Sequence, residues 1–122
     1  MISVLLYGRN DTHGYNLHRR MALSLNCIAE VLTDPDDEIV FVDYNTPDEL
    51  PTVIEALADT LTEHCLDRLR VFRIPASLHA ARFGARTHLA TVEPVARNAG
   101  ARRANPANRW FLASNTDLIF RP

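Results

Sequence analysis

Three short stretches of this 122-residue chain join an apolar run to polar side chains able to hold a ligand. Gly8-Arg9-Asn10-Asp11 follows Ile2-Ser3-Val4-Leu5-Leu6-Tyr7, Asp43-Tyr44-Asn45 follows Ile39-Val40-Phe41-Val42, and Ser114-Asn115-Thr116-Asp117 follows Trp110-Phe111-Leu112-Ala113. Asp117 carries the clearest chemistry. It is one of only two acids in residues 68–122, the other being Glu93, and it closely follows a strand-like run. A carboxylate so placed suits Mg²⁺ or Mn²⁺, which take oxygen ligands and commonly combine one or two protein carboxylates with phosphate oxygens. All 13 basic residues are arginines, ten of them in residues 68–122, whereas residues 30–67 hold 12 acids and no arginine. Arginine is geometrically matched to phosphate. The basic last part therefore reads either as a region that meets a phosphate-bearing ligand or as a solvated face.

Several other chemistries are excluded. The turn Gly8-Arg9-Asn10-Asp11-Thr12-His13-Gly14 lacks the GxGxxG spacing of a dinucleotide site, which argues against a dinucleotide-dependent oxidoreductase. A GxxxxGK[ST] loop is impossible without lysine. Cys27 and Cys65 lie far apart with no metal-ligand spacing and are expected as buried free thiols. The five histidines show no HExxH or related spacing. A net charge of −2 gives no overall pull toward nucleic acid, and no apolar run approaches a membrane span. The N-terminal run has no basic leader and is broken early by Gly8-Arg9-Asn10-Asp11. It is read as a buried strand, with the cytoplasm as the expected location.

The elements that must position these residues follow from periodicity. Residues 2–7, 39–42, 69–74 and 110–113 read as strands. Leu17, Met21, Leu25, Ile28 and Leu32 recur at helical spacing, as do Leu50, Val53, Ile54, Leu57 and Leu61. Thr46-Pro47-Asp48-Glu49 has the pattern of a capping box and marks the expected start of the second helix. A further helix is expected from Glu93 or Pro94 to Ala104, and a short one is allowed in the unpatterned residues 76–91. The order β-α-β-α-β-α-β predicts one α/β domain over residues 1–122, a three-layer, mostly parallel, doubly wound sheet. Such sheets bind ligands outside the carboxyl ends of their strands, where the three polar stretches fall.

The segment Val95-Ala96-Arg97-Asn98-Ala99-Gly100, followed by Trp110-Phe111-Leu112-Ala113-Ser114-Asn115-Thr116-Asp117, resembles the centre of family 2 glycosyltransferases of the GT-A fold. There an ARNxG helix leads to an apolar strand and a DxD-type motif, here in an NxD version. The Ile2-to-Asn10 stretch resembles that family's first strand and base-binding loop, and Ile39-Val40-Phe41-Val42-Asp43-Tyr44-Asn45-Thr46 its second strand. The resemblance spans nearly the whole chain. It implies binding of a nucleoside-diphosphate sugar, with uridine or a related base, and of Mn²⁺ or Mg²⁺ at Asp117. By the same resemblance Tyr7, Gly8, Arg9, Asn10 and Asp43 would face base and ribose. Arg82 or Arg86 would reach base or diphosphate. Asn98 would belong to the nucleotide site, and Asn115 would support the ribose or a metal-bound water.

The departures bear on activity. Tyr44 stands where the family often has a second acid, and Asn115 replaces the first Asp of DxD. The chain is expected to be truncated after the motif, so no residue is assigned as the acceptor base. Asp43 could instead cap a turn with Asn45, Asn98 could satisfy backbone groups near its helix, and Arg97 could pair with Glu93 one turn earlier. Arg102 and Arg103 read as a solvated helix face, and Trp110 as core or edge packing. A second function class is a non-catalytic nucleotide-binding or self-assembling module. In that reading the exposed sheet edge with Leu118-Ile119-Phe120 would join copies into a homo-oligomer.

Overall fold

The computed structural model describes residues 1–11 and 16–121. The turn expected at His13-Gly14 lies outside them. Strand β1 (Ile2–Gly8) leads to helix α1 (Leu17–Val31), then β2 (Glu38–Tyr44), α2 (Val53–Leu57), α3 (Glu63–Arg68), β3 (Leu69–Ile74), α4 (Ala76–Phe83), α5 (Glu93–Arg103) and β4 (Trp110–Ala113). The described residues form a four-stranded sheet in the order β3-β2-β1-β4, and every pairing is parallel. This is the doubly wound α/β arrangement expected from the alternation of strands and helices.

Burial explains the strand order. All seven residues of β2 are buried, as a strand covered on both faces requires. Val4 and Leu6 of β1 and Ile39 and Phe41 of β2 face α1, α2 and α3 in one core. The alternate residues Leu5, Val40, Val42 and Tyr44 face the other way, against Ala96 and Ala104 of the α5 segment. Gly100 lets α5 settle close to the sheet, since a Cβ there would lie 3.3 Å from Cγ2 of Val42.

Two local readings are corrected. The second helix does not begin at Thr46-Pro47-Asp48-Glu49. Pro51 would fall inside such a helix, where it lacks the N–H and clashes with the preceding turn. The capping box is instead Thr52 with Glu55, each side chain meeting the other's backbone N–H, and α2 starts at Val53. Thr46 is used elsewhere, its hydroxyl accepting from the Asn10 N–H at 3.0 Å. The apolar stripe through Leu61 is also not one helix. A 3₁₀ turn at Ala58–Thr60 and a fresh cap, the Thr62 hydroxyl accepting from Cys65 N–H, split it into α2 and α3. Residues 76–83 do form a helix.

Among the described residues no helix is long and apolar enough to cross a membrane. Cys65 is buried and Cys27 half-buried, both free. Trp110 lies on edge strand β4 and is 60% exposed, so it does not pack as expected.

Candidate functional site

Parallel pairing brings the C-terminal ends of β1 and β4 side by side, and an open cleft of about 440 Å³ lies there. Tyr7, Gly8, Arg9 and Asp11 line one wall. Asn115, Thr116 and Asp117 line another. Leu17, Arg20 and Met21 of α1 and Thr91 and Glu93 before and within α5 complete it. Asp117 and the Gly8 turn, 109 positions apart in sequence, therefore share one cavity.

The cleft walls are braced by short polar contacts. Arg9 Nε donates to the Asn45 carbonyl at 2.6 Å, and its Nη1 pairs with Asp11 Oδ2 at 2.6 Å. Asn10 is buried behind this wall. Its amide donates to the Pro51 carbonyl at 2.8 Å, and its Oδ1 lies 2.8 Å from His18 Nε2. The loop after β4 is tied down by the Ser114 N–H, which donates to the Leu5 carbonyl at 3.1 Å, and by the Ser24 hydroxyl, which donates to the Leu118 carbonyl at 2.5 Å.

A second set of contacts crosses the cleft floor. Glu93 accepts from Arg97 at 2.7 Å, the pairing the four-residue spacing suggests. Arg97 lies over the Tyr7 ring, 5.3 Å from its centroid, and Arg97 Nη2 donates to Asn115 Oδ1 at 3.3 Å. The Glu93 carboxylate also acts on the Tyr7 hydroxyl. Burial, then this anion, push the Tyr7 hydroxyl pKa up. Arg97, then Tyr7, hold the Glu93 carboxyl below its ordinary range.

Three carboxylates thus line the cleft: Asp11, Glu93 and Asp117. The first two are paired with guanidinium groups. Asp117 is exposed and has no ion pair among the described residues. Among the described lining residues only Arg9 and Arg20 are cationic. Among the described residues no three His, Cys, Asp or Glu side chains are grouped to hold a metal ion. The cleft can therefore offer a cation one free carboxylate, and a ligand the Tyr7 ring and the polar edge of Asn115-Thr116.

The other sequence candidates lie elsewhere. Asp43 is fully buried on the α2 side of the sheet, where its Oδ2 accepts from the Val53 N–H at 2.7 Å and its Oδ1 has no partner among the described residues. It does not line the cleft. Arg82 and Arg86 are exposed in and after α4 and also lie outside the lining. Asn98 is exposed on α5 and borders a different groove, with Arg102 and Arg103. The arginine-rich last third therefore does not gather at the cleft. Arg20 and Glu93 were missed as lining residues. Their signal was positional: each lies in the first turn of a helix that follows a strand end or loop on the ligand side of a parallel sheet.

No protein-family model matches the chain, and no curated protein matches it. Two solved structures share its fold. A crystal structure of S. aureus TarS 1-349 superposes with a TM-score of 0.56 at 19% identity, covering 95% of this chain and 27% of that one. A second TarS structure gives 0.54 at 18% identity, covering 95% and 16%. TarS is a glycosyltransferase, so the fold is glycosyltransferase-like. This chain spans about a quarter or less of the length of those structures.

Proposed function

We propose that this chain binds a nucleoside-diphosphate sugar together with a divalent cation, as the donor-binding part of a glycosyltransferase. The observation that carries the reading is the shared cleft of Tyr7, Gly8 and Arg9 with Asn115, Thr116 and Asp117. The glycosyltransferase-like fold adds support. In this reading Tyr7 and the Gly8 turn take the nucleoside side of the donor. Asn115 and Asp117 take the ribose and diphosphate side.

Mn²⁺ or Mg²⁺ fits the residues present in one way. Asp117 would be the chain's free carboxylate ligand, and phosphate oxygens and water would complete the shell. The chemistry supplied by such a cation is Lewis-acid neutralisation of the leaving diphosphate. The chain's own residues bind and orient: Arg97 holds Asn115 and the Tyr7 ring in place, and Arg9 fixes the base-side loop against Asn45. No described residue is assigned as the base that would activate an acceptor. Asp43 remains a base-binding candidate only if its link to α2 opens.

The test is calorimetric titration of uridine diphosphate with and without Mn²⁺, on wild type and on Asp117→Asn. The expected result is binding that needs the cation and weakens at least about tenfold in the variant, the loss of one charged ligand interaction. Equal binding in chelator, or in Asp117→Asn, refutes the metal-bridged reading.

A second reading is a non-catalytic module that self-associates along β4. It is favoured by the exposure of Trp110 and Phe111, 60% and 56%, on a strand that pairs only with β1 among the described residues. Phe111→Asp would abolish such association and leave uridine diphosphate binding intact.

A further inference from the structure

The α5 face of the sheet carries a second concavity, away from the cleft. α5 lies over β1 and β2. Beside it a groove of about 560 Å³ opens over edge strand β3, with Phe72, Ile74, Leu78 and Val95 as an apolar floor. Arg102 and Arg103 line it from α5, and among the described residues no carboxylate does. Arg103 stands 5.5 Å from the Phe72 ring centroid, and Arg102 has no ion pair among the described residues.

The opposite face of the sheet presents the complementary surface. On α3, Glu63 and Asp67 stand one turn apart on one helical face, and Leu66, three residues after Glu63, borders that face and is 42% exposed. Both acids are exposed, and neither has an ion pair among the described residues. Residues 30–67, which supply α2 and all of α3 but Arg68, hold 12 acids and no arginine, and residues 68–122, which supply α4 and α5, hold ten arginines and two acids.

We propose that the occupant of the groove is a second copy of this chain, docked through α3. Leu66 meets the apolar floor, and Glu63 and Asp67 meet Arg102 and Arg103. The two surfaces lie on opposite faces of one sheet, so two copies cannot exchange this contact reciprocally. The contact is heterologous and repeats head to tail, in a ring or an open chain according to whether its rotation closes. Each link rests on a small apolar contact and exposed ion pairs, so it is weak and sensitive to salt.

The test is sedimentation equilibrium of the intact chain over a wide concentration range, at low and high salt. Wild type at low salt is expected to rise in average mass past the dimer, and to fall to monomer as salt is added. Arg102→Gln with Arg103→Gln, and separately Glu63→Gln with Asp67→Asn, are each expected to weaken association roughly tenfold or more, the effect of losing exposed charge pairs at both ends of one contact. These positions are exposed, and circular dichroism checks that each variant folds. An equimolar mixture of the two variants should stop at a one-to-one pair, because one supplies an intact α3 and the other an intact groove. A monomeric wild type at every concentration in low salt overturns the proposal. So does association that both variants retain. Association that persists in high salt and disappears in Phe111→Asp belongs to the β4 edge, and it overturns the proposal as well.

Discussion

Replacing Asp43 with alanine separates a structural role for this carboxylate from a ligand-binding one. Asp43 is fully buried at the end of β2, and its Oδ2 accepts from Val53 N–H at 2.7 Å. Val53 is the first residue of α2, so its N–H is among the donors that the helix cannot satisfy itself. A hydrogen bond to a charged group contributes about 1.5–3 kcal/mol, and the same loss can be viewed as stranding a buried N–H. The unpartnered Oδ1 acts in the opposite direction, because burying an incompletely bonded carboxylate is itself costly. The net loss for Asp43→Ala is then about 2 kcal/mol, toward the lower half of that range. For a chain of this length 1 kcal/mol corresponds to roughly 3–5 °C, so the melting temperature should fall by about 6–10 °C. Asp43→Asn retains an acceptor for Val53 and should lose about half as much. Asp117→Ala, at an exposed position, should stay within about 0.5 kcal/mol of wild type. Urea denaturation followed by far-ultraviolet circular dichroism measures all three. An Asp43→Ala protein as stable as wild type that no longer binds uridine diphosphate would refute the bracing role and return this carboxylate to the ligand.

Three further outcomes follow from local geometry. Thr52→Ala should cost about 1 kcal/mol in urea denaturation, since Thr52 is the N-cap that accepts from the Glu55 N–H. At Glu38, burial raises the carboxyl pKa, but Arg70, the Asn105 N–H and the Ser3 hydroxyl outweigh it and hold the value below the ordinary range. Its contribution to stability is therefore complete above the ordinary carboxylate pKa and lost as pH falls through the lowered value, and Glu38→Gln should flatten this acid limb in melts taken across acidic pH. Burial pushes the Cys65 thiol up to about 11, so a thiol reagent should label half-buried Cys27 in the native state and Cys65 only on unfolding. Equal labelling rates would mean that α3 opens readily.

β1, β2 and β4 were legible as compact apolar runs, and β3, in which Arg70 and Arg73 interrupt the apolar residues, was read with its observed ends, Leu69 and Ile74. Helix boundaries were harder. The Thr46-Pro47-Asp48-Glu49 pattern satisfies a capping rule locally, yet Pro51 five residues into that turn forbids the helix, and the competing box at Thr52 wins. At the site, the meeting of the Gly8 turn with Asp117 could be anticipated, since parallel strands deliver their carboxyl ends to one side of the sheet. The direction of Asp43 could not. Alternation along β2 sets which face a side chain takes, but whether a carboxylate at the strand end reaches outward or back to α2 depends on one N–H ten residues later. Charge counts misled in a similar way. Ten arginines in residues 68–122 suggested a phosphate-facing region, but Arg102 and Arg103 project from the far side of the sheet, beside β3.

That misplacement sharpens the chemistry of the cleft. Were the arginines gathered there, a diphosphate could be held by guanidinium groups alone, and a cation would be dispensable. Instead the lining has more carboxylates than guanidiniums. Arg9 is engaged by Asp11 and by the Asn45 carbonyl, and nearby Arg97 by Glu93, Asn115 and the Tyr7 ring. With Arg97 counted, carboxylates and guanidiniums balance, so a diphosphate entering this field meets no net attraction unless positive charge arrives with it. Asp117 is the lining carboxylate without a guanidinium partner, and an exposed side chain costs nothing to leave so. Asp11 and Glu93 could serve a cation only by releasing the contacts that shape the walls. The same pairs that disqualify two carboxylates as ligands hold Tyr7 and Asn115 in place around the third, which is why the donor-binding proposal rests on Asp117.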